Sequence, residues 1–213
     1  MLTVHHLHKS QSERIVWLCE ELGLDYTLKC YDRDPVTTFA PPDYKALHPM
    51  GIAPVIQDDE LTLAESGAIV EYLIVRHGGG RLALGPDDAD YTNYLYWLHF
   101  SNGHLQPLMG RNMILSRIEL APDNAMRKST RDRLELALGT VEDRLAGVTW
   151  LAGAEFTAAD VMTVFTLTTM RHAYPLDLAP YPAIRAYLAR IGEREAYRRA
   201  LHKGDPGMAP LLT

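Results

Sequence analysis

The sequence is poor in the features that mark several large classes of protein. Its 213 residues include two cysteines, Cys19 and Cys30, without Cys-x-x-Cys spacing, which excludes a disulfide framework. No apolar run approaches the ~20 residues that span a bilayer, and the start MLTVHHLHKSQSE lacks the basic and apolar regions of a signal peptide. Lysine and arginine number 21 against 27 acidic residues, a net charge of -6. We therefore expect a cytoplasmic protein that binds neither nucleic acid nor membrane.

The sequence does have the apolar content of a globular protein, since 47% of its residues are hydrophobic. Its length suits one large domain or two small ones. The first part predicts the order β-α-β-α-β-β-α, with long helices covering a small sheet. The predicted elements are a strand at Leu2–Leu7, a helix at Ser12–Leu22 ended by Gly23, a strand at Tyr26–Tyr31, a short helix at Tyr44–Leu47, a hairpin at Pro54–Ala64 and a helix at Glu65–His77.

A glycine-rich segment, HGGGRLALGPDD at His77–Asp88, predicts a domain boundary. Beyond it the sequence predicts helices alone. They lie at Asp87–Arg117, Pro122–Leu145, Thr157–Tyr174, Tyr181–Ile191 and Glu193–His202. The segment TAAD, Thr157–Asp160, has the pattern of a helix capping box, with Phe156 before it, and this structural role leaves it no catalytic one.

Three segments carry a resemblance to a known family. The strongest is PMGIAPVIQDDELTLAESGAIVEYL, Pro49–Leu73, with an apolar residue before a proline, an acidic hairpin turn and a Glu-Ser pair that opens a helix. The others are SQSER before WLCEELGL, and AEFTAAD. In this order, over essentially the whole chain, they resemble the cytosolic glutathione transferases of the serine type, including bacterial members.

The resemblance implies the glutathione transferase fold. An α/β thioredoxin-like N-terminal domain at residues 1–79 would bind glutathione. An all-α helical C-terminal domain at residues 87–213 would line the pocket of the second substrate. Glutathione would serve as co-substrate, and the protein would be a homodimer with the site near the interface.

Such an enzyme must turn a bound thiol into a thiolate, although a free thiol has a pKa of ~8.5. A helix N-terminus favours an anion through its N–H groups and partial positive charge, and a hydroxyl just before the helix adds a hydrogen bond. In serine-type relatives the active serine stands about four residues before an arginine, and Ser10 precedes Arg14 by four. The resemblance therefore assigns thiol activation to Ser10. Ser12 is better placed as the helix N-cap, but it stays the alternative activator.

The resemblance also implies the residues that hold glutathione. The Ala53–Pro54 bond would be cis, exposing the backbone of Ala53 to the cysteinyl part of glutathione. Ser66, at the start of a helix, would bind the γ-glutamyl carboxylate, and Glu65 its ammonium group. Simple capping of that helix by the same two residues is the alternative.

One position departs from the family pattern. Many relatives have lysine or glutamine two residues before this proline, where it meets the glycyl carboxylate of glutathione, but this chain has Ile52. Binding would then be weaker, or would depend on Lys45, His48 or Lys9. A cation at Lys9, beside Ser10, would also favour a thiolate.

The helix predicted over Tyr91–Ile114 would line the pocket of the second substrate. His99 and Gly103 are four residues apart and share a face, Met109 lies near the next turn, and the small Gly103 leaves room for an acceptor. The aromatic side chains of this helix are predicted to pack in the core: Tyr94, Trp97 and Phe100.

The N-terminal histidines are the remaining candidates for chemistry. His5, His6 and His8 would be scattered over two faces of the sheet. Because metal ligands must converge on one point, no metal is predicted. Cys19 lies in the apolar stripe of the first helix and is predicted to be an inert buried thiol.

The predicted function is the conjugation of glutathione to small electrophiles, a detoxification reaction, with reduction of peroxides as a further activity. A non-catalytic binding or regulatory module of the same fold is the first alternative. Ile52 favours it, whereas the joint presence of Ser10, Glu65 and Ser66 opposes it. A glutathione-dependent disulfide reductase is the second alternative, which the absence of cysteine from residues 8 to 18 neither requires nor excludes.

Overall fold

A computed structural model describes residues 1–121 and 123–213, so Pro122, where one helix is predicted to begin, lies outside the described residues. The described chain divides into two units, residues 1–83 with 191–210 and residues 84–190 with 211–213. The sequence-based division assigned all of residues 87–213 to the second domain. Residues 191–210 make their contacts in the first unit instead.

The first unit is built on a four-stranded sheet of order β2-β1-β3-β4. Its elements up to residue 83 are β1 (Leu2–Leu7), α1 (Glu13–Leu22), β2 (Thr27–Tyr31), α2 (Pro42–Lys45), β3 (Val55–Asp58), β4 (Leu61–Ala64) and α3 (Ser66–Arg76). β1 pairs with β2 in parallel, and β3 is antiparallel to both β1 and β4. The predicted element order and the α/β thioredoxin-like class are confirmed.

The helix α1 is buried along its predicted apolar stripe. Ile15, Val16, Cys19 and Leu22 are all almost completely shielded from solvent. The helix ends where the sequence predicts, at Gly23, whose φ of 61° is left-handed and whose N–H donates to a carbonyl of the last turn. Glycine adopts this conformation without the cost that a Cβ would add.

The last helix, α9 (Glu195–Gly204), explains why residues 191–210 join the first unit. The ring of its buried Tyr197 lies 4.9 Å from the ring of buried Trp17 in α1. The ion pairs at this helix contact join Glu21 to Arg194, and Glu20 to Arg199 and Lys203. The polar side of α1 is therefore covered by a second helix, which the periodicity of α1 alone does not reveal.

The second unit is helical, and no strand occurs in residues 84–121 or 123–190. Its helices are α4 (Tyr91–Phe100), α5 (Gln106–Ser116), α6 (Ala125–Gly147), α7 (Ala158–Leu167) and the start of α8 (Pro182–Glu193). A π-helical turn, Ser101–Leu105, joins α4 to α5, where the sequence predicted one regular helix. π turns of this kind are frequent at functional sites.

The core of the second unit is α7, all of whose residues are buried. The predicted capping box is confirmed, because the side chain of Thr157 accepts a backbone N–H of the first turn and the carboxylate of Asp160 accepts the N–H of Thr157. The predicted burial of Tyr94, Trp97 and Phe100 is confirmed as well. Over the described residues, no helix combines the length and the apolar character needed to cross a membrane.

Candidate active site

The turn from β1 to α1 holds the predicted catalytic serine, Ser10, which is 6% exposed. Its carbonyl accepts the N–H of Glu13 at 3.0 Å, and the carbonyl of Gln11 accepts that of Arg14 at 3.3 Å. The N–H of Ser12 donates to Ser10 Oγ at 3.2 Å. These N–H groups are already hydrogen-bonded within the turn. A bound anion would therefore be stabilised by the Ser10 hydroxyl and by the partial positive charge of the helix N-terminus.

Ser12 stands at the N-cap position of α1, but its side chain does not cap the helix. Its φ of -66° and ψ of -16° are helical, whereas a capping serine has an extended backbone. Its hydroxyl points toward β1 instead, where it accepts the N–H of Leu7 at 3.1 Å. The same Oγ lies 2.9 Å from His6 Nδ1 and 2.7 Å from Ser10 Oγ. The two serines that the sequence offered as alternatives are thus hydrogen-bonded to each other.

The three N-terminal histidines lie on two sides of the sheet as expected, but His6 and His8 converge on one carboxylate, so the expectation that none of them converge is wrong. Nε2 of His6 lies 3.1 Å from Oδ2 of Asp205, and Nδ1 of His8 lies 3.1 Å from Oδ1. His5 lies apart, with Nδ1 2.8 Å from the hydroxyl of Tyr31. Nitrogen and oxygen atoms of this kind at this spacing also occur at metal sites, but here each is directly hydrogen-bonded to another. We interpret His6, His8 and Asp205 as a hydrogen-bonded group.

The charge in this group is that of Asp205, which directly follows α9 and is 5% exposed. Burial by itself raises the pKa of the Asp205 carboxyl, but hydrogen bonds from His6, from the N–H of Lys9 at 2.9 Å and from His8 outweigh it. The pKa is therefore held below its ordinary value. An ionised carboxylate beside His6 is the consequence at neutral pH.

The loop before β3 is tied to the same turn. The Ala53–Pro54 peptide is cis, as the family resemblance implies. The buried carbonyl of Ala53 accepts a hydrogen bond from Gln11 Nε2 at 2.8 Å, and Gln11 Oε1 accepts one from Arg14 Nη1 at 3.1 Å. Gln11 thus links the serine turn to the cis-proline loop, a contact that sequence reasoning missed because a turn glutamine has no distinctive pattern.

Glu65 and Ser66 lie at the start of α3, as predicted. Glu65 has a φ of 72° and a ψ of 115°, a conformation that is costly for a residue with a Cβ and is concentrated at functional sites. Its exposed side chain makes no capping hydrogen bond, while Ser66 is 2% exposed. Side-chain capping of α3 therefore does not explain the presence of Glu65 at this position. Both residues remain candidates for binding glutathione.

The candidates for the glycyl carboxylate lie on loops. Ile52 is 46% exposed. Lys45 is exposed; a Cβ added at Gly51 would lie 3.3 Å from its Cγ, and its Nζ lies 5.8 Å from the centroid of the Phe39 ring. The half-buried His48 accepts the N–H of Met50 at 3.3 Å through Nδ1, which orients its ring locally. Lys45 and His48 therefore both contact this loop, and either could supply the missing cation.

Lys9, the third substitute, is exposed and held by its backbone. Its φ is 53°, its N–H donates to Asp205, and its carbonyl accepts a hydrogen bond from Arg33 Nη2 at 3.1 Å. These contacts fix the backbone of the turn just before Ser10. The backbone of Lys9 therefore helps to fix the conformation of this turn.

Comparisons with known proteins identify the family of this chain. Residues 10–75 match the family description "Glutathione S-transferase, N-terminal domain", and residues 123–190 match "Glutathione S-transferase, C-terminal domain". The chain is 33% identical to Glutathione S-transferase 3 of Schizosaccharomyces pombe, over 100% of this chain and 92% of that protein. This chain belongs to the glutathione S-transferase family.

Two further relatives of this glutathione S-transferase family member are informative. A crystal structure of a glutathione S-transferase from Actinobacillus pleuropneumoniae has a TM-score of 0.88 and 38% identity, covering 96% of this chain and 93% of that one. The Disulfide-bond oxidoreductase YfcG of Escherichia coli is 29% identical over 97% of each chain. The fold class is thus shown at the level of both domains.

In this family member, the predicted second-substrate residues are only partly brought together. A cavity of about 440 Å³ within the second unit includes Gly103 in its lining, together with Phe100, His104, Leu108, Arg111, Arg133, Leu136, Ala137 and Thr140. His99 is exposed outside that lining, and Met109 is 1% exposed inside the helical core. Gly103, in the π turn, is the one of the three that the cavity supports.

Sequence reasoning missed two partners of the serine turn in this family member, His6 and Asp205. A signal for His6 was present, because His6 and His8 are two residues apart at the end of a strand and so share a face. No local signal marks Asp205, which meets His6 from 199 positions away in the sequence.

Proposed function

We propose that this protein binds glutathione in its first unit and that Ser10 stabilises the thiolate, which attacks a small electrophile or reduces a peroxide. The carrying observation is the buried Ser10 hydroxyl at the start of α1, in a turn that Gln11 ties to the cis-proline loop. Together with membership of the glutathione S-transferase family, this supports the transferase reaction over a purely structural module.

The energetics of thiol activation are within reach of this turn. Lowering the pKa of a bound thiol by ~2 units requires ~2.7 kcal/mol of preference for the thiolate. A hydrogen bond to a charged acceptor contributes ~1.5–3 kcal/mol, and a helix N-terminus adds ~0.3–1 kcal/mol. The Ser10 hydroxyl is thus the larger of the two contributions.

The remaining parts of glutathione would bind to residues around the serine turn. The N–H and carbonyl of Ala53 would pair with the cysteinyl part, next to Pro54. The N–H and hydroxyl of Ser66 would bind the γ-glutamyl carboxylate, and Glu65 its ammonium group. Lys45 or His48 would approach the glycyl carboxylate in place of the residue that Ile52 replaces.

The second substrate would use the helical unit, with Gly103 leaving room in the cavity lining. We also propose that the protein is a homodimer, as the family resemblance implies, and that it acts without a metal.

A disulfide reductase is the second candidate, favoured by the similarity to Disulfide-bond oxidoreductase YfcG. The protein's own thiols offer little to such a reaction. Cys19 is fully buried, and burial raises its pKa to about 12. Burial also raises the pKa of Cys30. A reductase built on this chain would therefore run through the thiolate of glutathione, with Ser10 in the same role.

The test combines binding with a survey of activity. Titration calorimetry should show glutathione binding, and ultraviolet absorbance of the complex should show a thiolate at neutral pH. Turnover is then measured with halo-aromatics, isothiocyanates, hydroperoxides and a glutathione mixed disulfide, which separates transferase, peroxidase and reductase activities. Ser10→Ala should remove the thiolate signal, whereas the exposed Ser116→Ala control should keep it. Binding without turnover on any of these substrates would favour the non-catalytic module, and no binding would overturn the proposal.

A further inference from the structure

Four side chains of the first unit form a continuous hydrogen-bonded line that starts at Ser10. Ser10 Oγ lies 2.7 Å from Ser12 Oγ, and Ser12 Oγ lies 2.9 Å from His6 Nδ1. On the other side of the imidazole, Nε2 lies 3.1 Å from Asp205 Oδ2. All four residues are buried: Ser10 is 6% exposed, Ser12 0%, His6 1% and Asp205 5%. Such a buried line is strengthened by its low-dielectric surroundings.

The donors and acceptors fix the direction of these hydrogen bonds. A carboxylate can only accept, so Nε2 of His6 carries a proton and donates to Asp205. In neutral His6 the other nitrogen, Nδ1, is then an acceptor, and the hydroxyl of Ser12 donates to it at 2.9 Å rather than to the carbonyl of Leu7, which lies farther away at 3.4 Å. Ser12 Oγ also accepts from Leu7 N–H, so its remaining lone pair accepts from the Ser10 hydroxyl. With His6 neutral, the proton of Ser10 therefore points along the line and away from a bound thiol.

The opposite arrangement appears when His6 is protonated on both nitrogens. Nδ1–H then donates to Ser12, the hydroxyl of Ser12 turns to donate to Ser10, and the hydroxyl of Ser10 is free to point outward. This is the state in which Ser10 can donate to a thiolate. Donation of a hydrogen bond by Ser10 to the thiolate is thus coupled to protonation of His6.

Resting on the proposed function, we propose that His6 receives the thiol proton of glutathione through Ser10 and Ser12. The S–H bond of glutathione breaks as its proton passes to Ser10 Oγ, the proton of Ser10 passes to Ser12 Oγ, and that of Ser12 forms a new N–H bond at His6 Nδ1. The sulfur keeps the electron pair and becomes the thiolate, and the imidazole becomes an imidazolium. After the thioether has formed, His6 loses the proton to water.

Three groups face the imidazole of His6. The carboxylate of Asp205, from the end of α9, is in direct contact with it. The ring of His8 lies edge-on at 5.6 Å, and Cys30 is its neighbour in register on β2. Asp205 is the one acidic group among these three neighbours, and its hydrogen bond holds the Nε2 tautomer. His6 is accordingly a positioning residue that acts through the two serines, and Asp205 orients it, as an aspartate orients histidine in hydrolase triads.

Proton counting on the unmodified protein tests the proposal. Glutathione is titrated calorimetrically at about pH 7.5, where a free thiol is still largely protonated, in two buffers of different ionisation enthalpy. S-methyl glutathione provides the reference without an ionisable thiol. If His6 keeps the thiol proton, the thiolate appears in the ultraviolet spectrum with almost no proton released to buffer. Release of about one proton per thiolate formed would overturn the relay; the thiolate signal of Ser10→Ala, measured separately, decides whether Ser10 stabilises the thiolate.

Variants give the second measurement. His6→Asn keeps an acceptor near the position of Nδ1 but cannot take a proton at neutral pH. We expect kcat/KM to fall about 100-fold at neutral pH, at the low end of what general bases contribute, and to recover as the pH rises through that of the free thiol. His5→Asn is the matched control on the same strand, because His5 is 3% exposed and hydrogen-bonded through both nitrogens, to Tyr31 and Gln57. It should leave the pH profile unchanged.

Asp205→Asn keeps the proposal testable if His6→Asn does not fold. An asparagine amide facing Nε2 would reverse the tautomer of His6, so that Nδ1 carries the proton and can no longer accept one. The variant should bind S-methyl glutathione as the wild type does and show the same pH-dependent loss as His6→Asn. A pH profile parallel to that of the wild type in either variant would overturn the relay. Failure of the wild type to bind glutathione or form a thiolate would instead overturn the proposed function on which it rests.

Discussion

Replacing Asp160 with asparagine tests how the second unit holds its core helix. The carboxylate is fully buried and accepts hydrogen bonds from the N–H of Leu151 at 3.0 Å, the N–H of Thr157 at 2.9 Å and the hydroxyl of Tyr187 at 3.1 Å. Burial raises the pKa of Asp160 from 3.8 to about 6, against the opposing effect of these donors. The folded protein therefore binds this proton more tightly than the unfolded chain does.

The sign and size of the effect follow from this difference. A carboxyl whose pKa is higher in the folded state contributes most to stability below its unfolded pKa, and that contribution falls as the pH rises through both values. A shift of about two units corresponds to ~3 kcal/mol, of which ~2 kcal/mol is lost between pH ~4.5 and pH ~7.5. Asparagine does not titrate, so the stability difference, wild type minus Asp160→Asn, should fall by ~2 kcal/mol over this range.

Urea unfolding at four or five pH values measures this difference directly. The exposed Asp143→Asn variant, from α6, is the control, and its difference from wild type should stay flat. Taking differences also cancels the other carboxyls, such as Asp205, whose lowered pKa has the opposite effect on stability at acid pH. A difference for Asp160→Asn that grows with pH would show that the three donors outweigh burial and that the anion is the favoured form.

The remaining predictions concern the candidate site and the assembly. Ser10→Ala should raise the pKa of the bound glutathione thiol and reduce turnover at neutral pH, with little change in calorimetric binding of S-alkyl glutathione. Full activity in Ser10→Ala together with loss of activity in Ser12→Ala would instead assign thiol activation to Ser12. Ile52→Lys should tighten glutathione binding a few-fold at low salt, with a smaller gain as screening increases and an almost unchanged maximal rate. Sedimentation should give a dimer near twice the chain mass of 23.9 kDa, and a fully active monomer would contradict this.

The parts of the fold that sequence predicts here are those set by local patterns. The apolar stripe of α1, the glycine at its end and the capping box of α7 each depend on residues a few positions apart, and each is present in the structure. The π turn at Ser101–Leu105 was missed because its weak helix formers, Ser101, Asn102 and Gly103, do not by themselves distinguish a π turn from an α-helix. Burial of the polar side of α1 was missed because it depends on α9, far away in sequence.

The candidate site divides in the same way. The cis peptide before Pro54 and the positions of Glu65 and Ser66 came from the family resemblance and are found where it implies. The contact between Ser10 and Ser12 was not predicted, because sequence treats them as alternatives while the turn brings both hydroxyls together. Side-chain hydrogen bonds depend on backbone angles such as those of Ser12, which residue type alone does not determine.

The return of the chain to the first unit links stability to the candidate chemistry. Asp205 follows directly after α9, so the contacts that hold α9 against α1 also set this carboxylate against His6. The approach is close, because a Cβ added at Gly204 would lie 3.0 Å from His6 Nε2. A residue with a side chain there would separate the imidazole from the carboxylate or push α9 outward. The end of α9 therefore contacts the serine turn from the opposite end of the sequence. A first domain that ended at residue 83 would contain His6 but would lack Asp205.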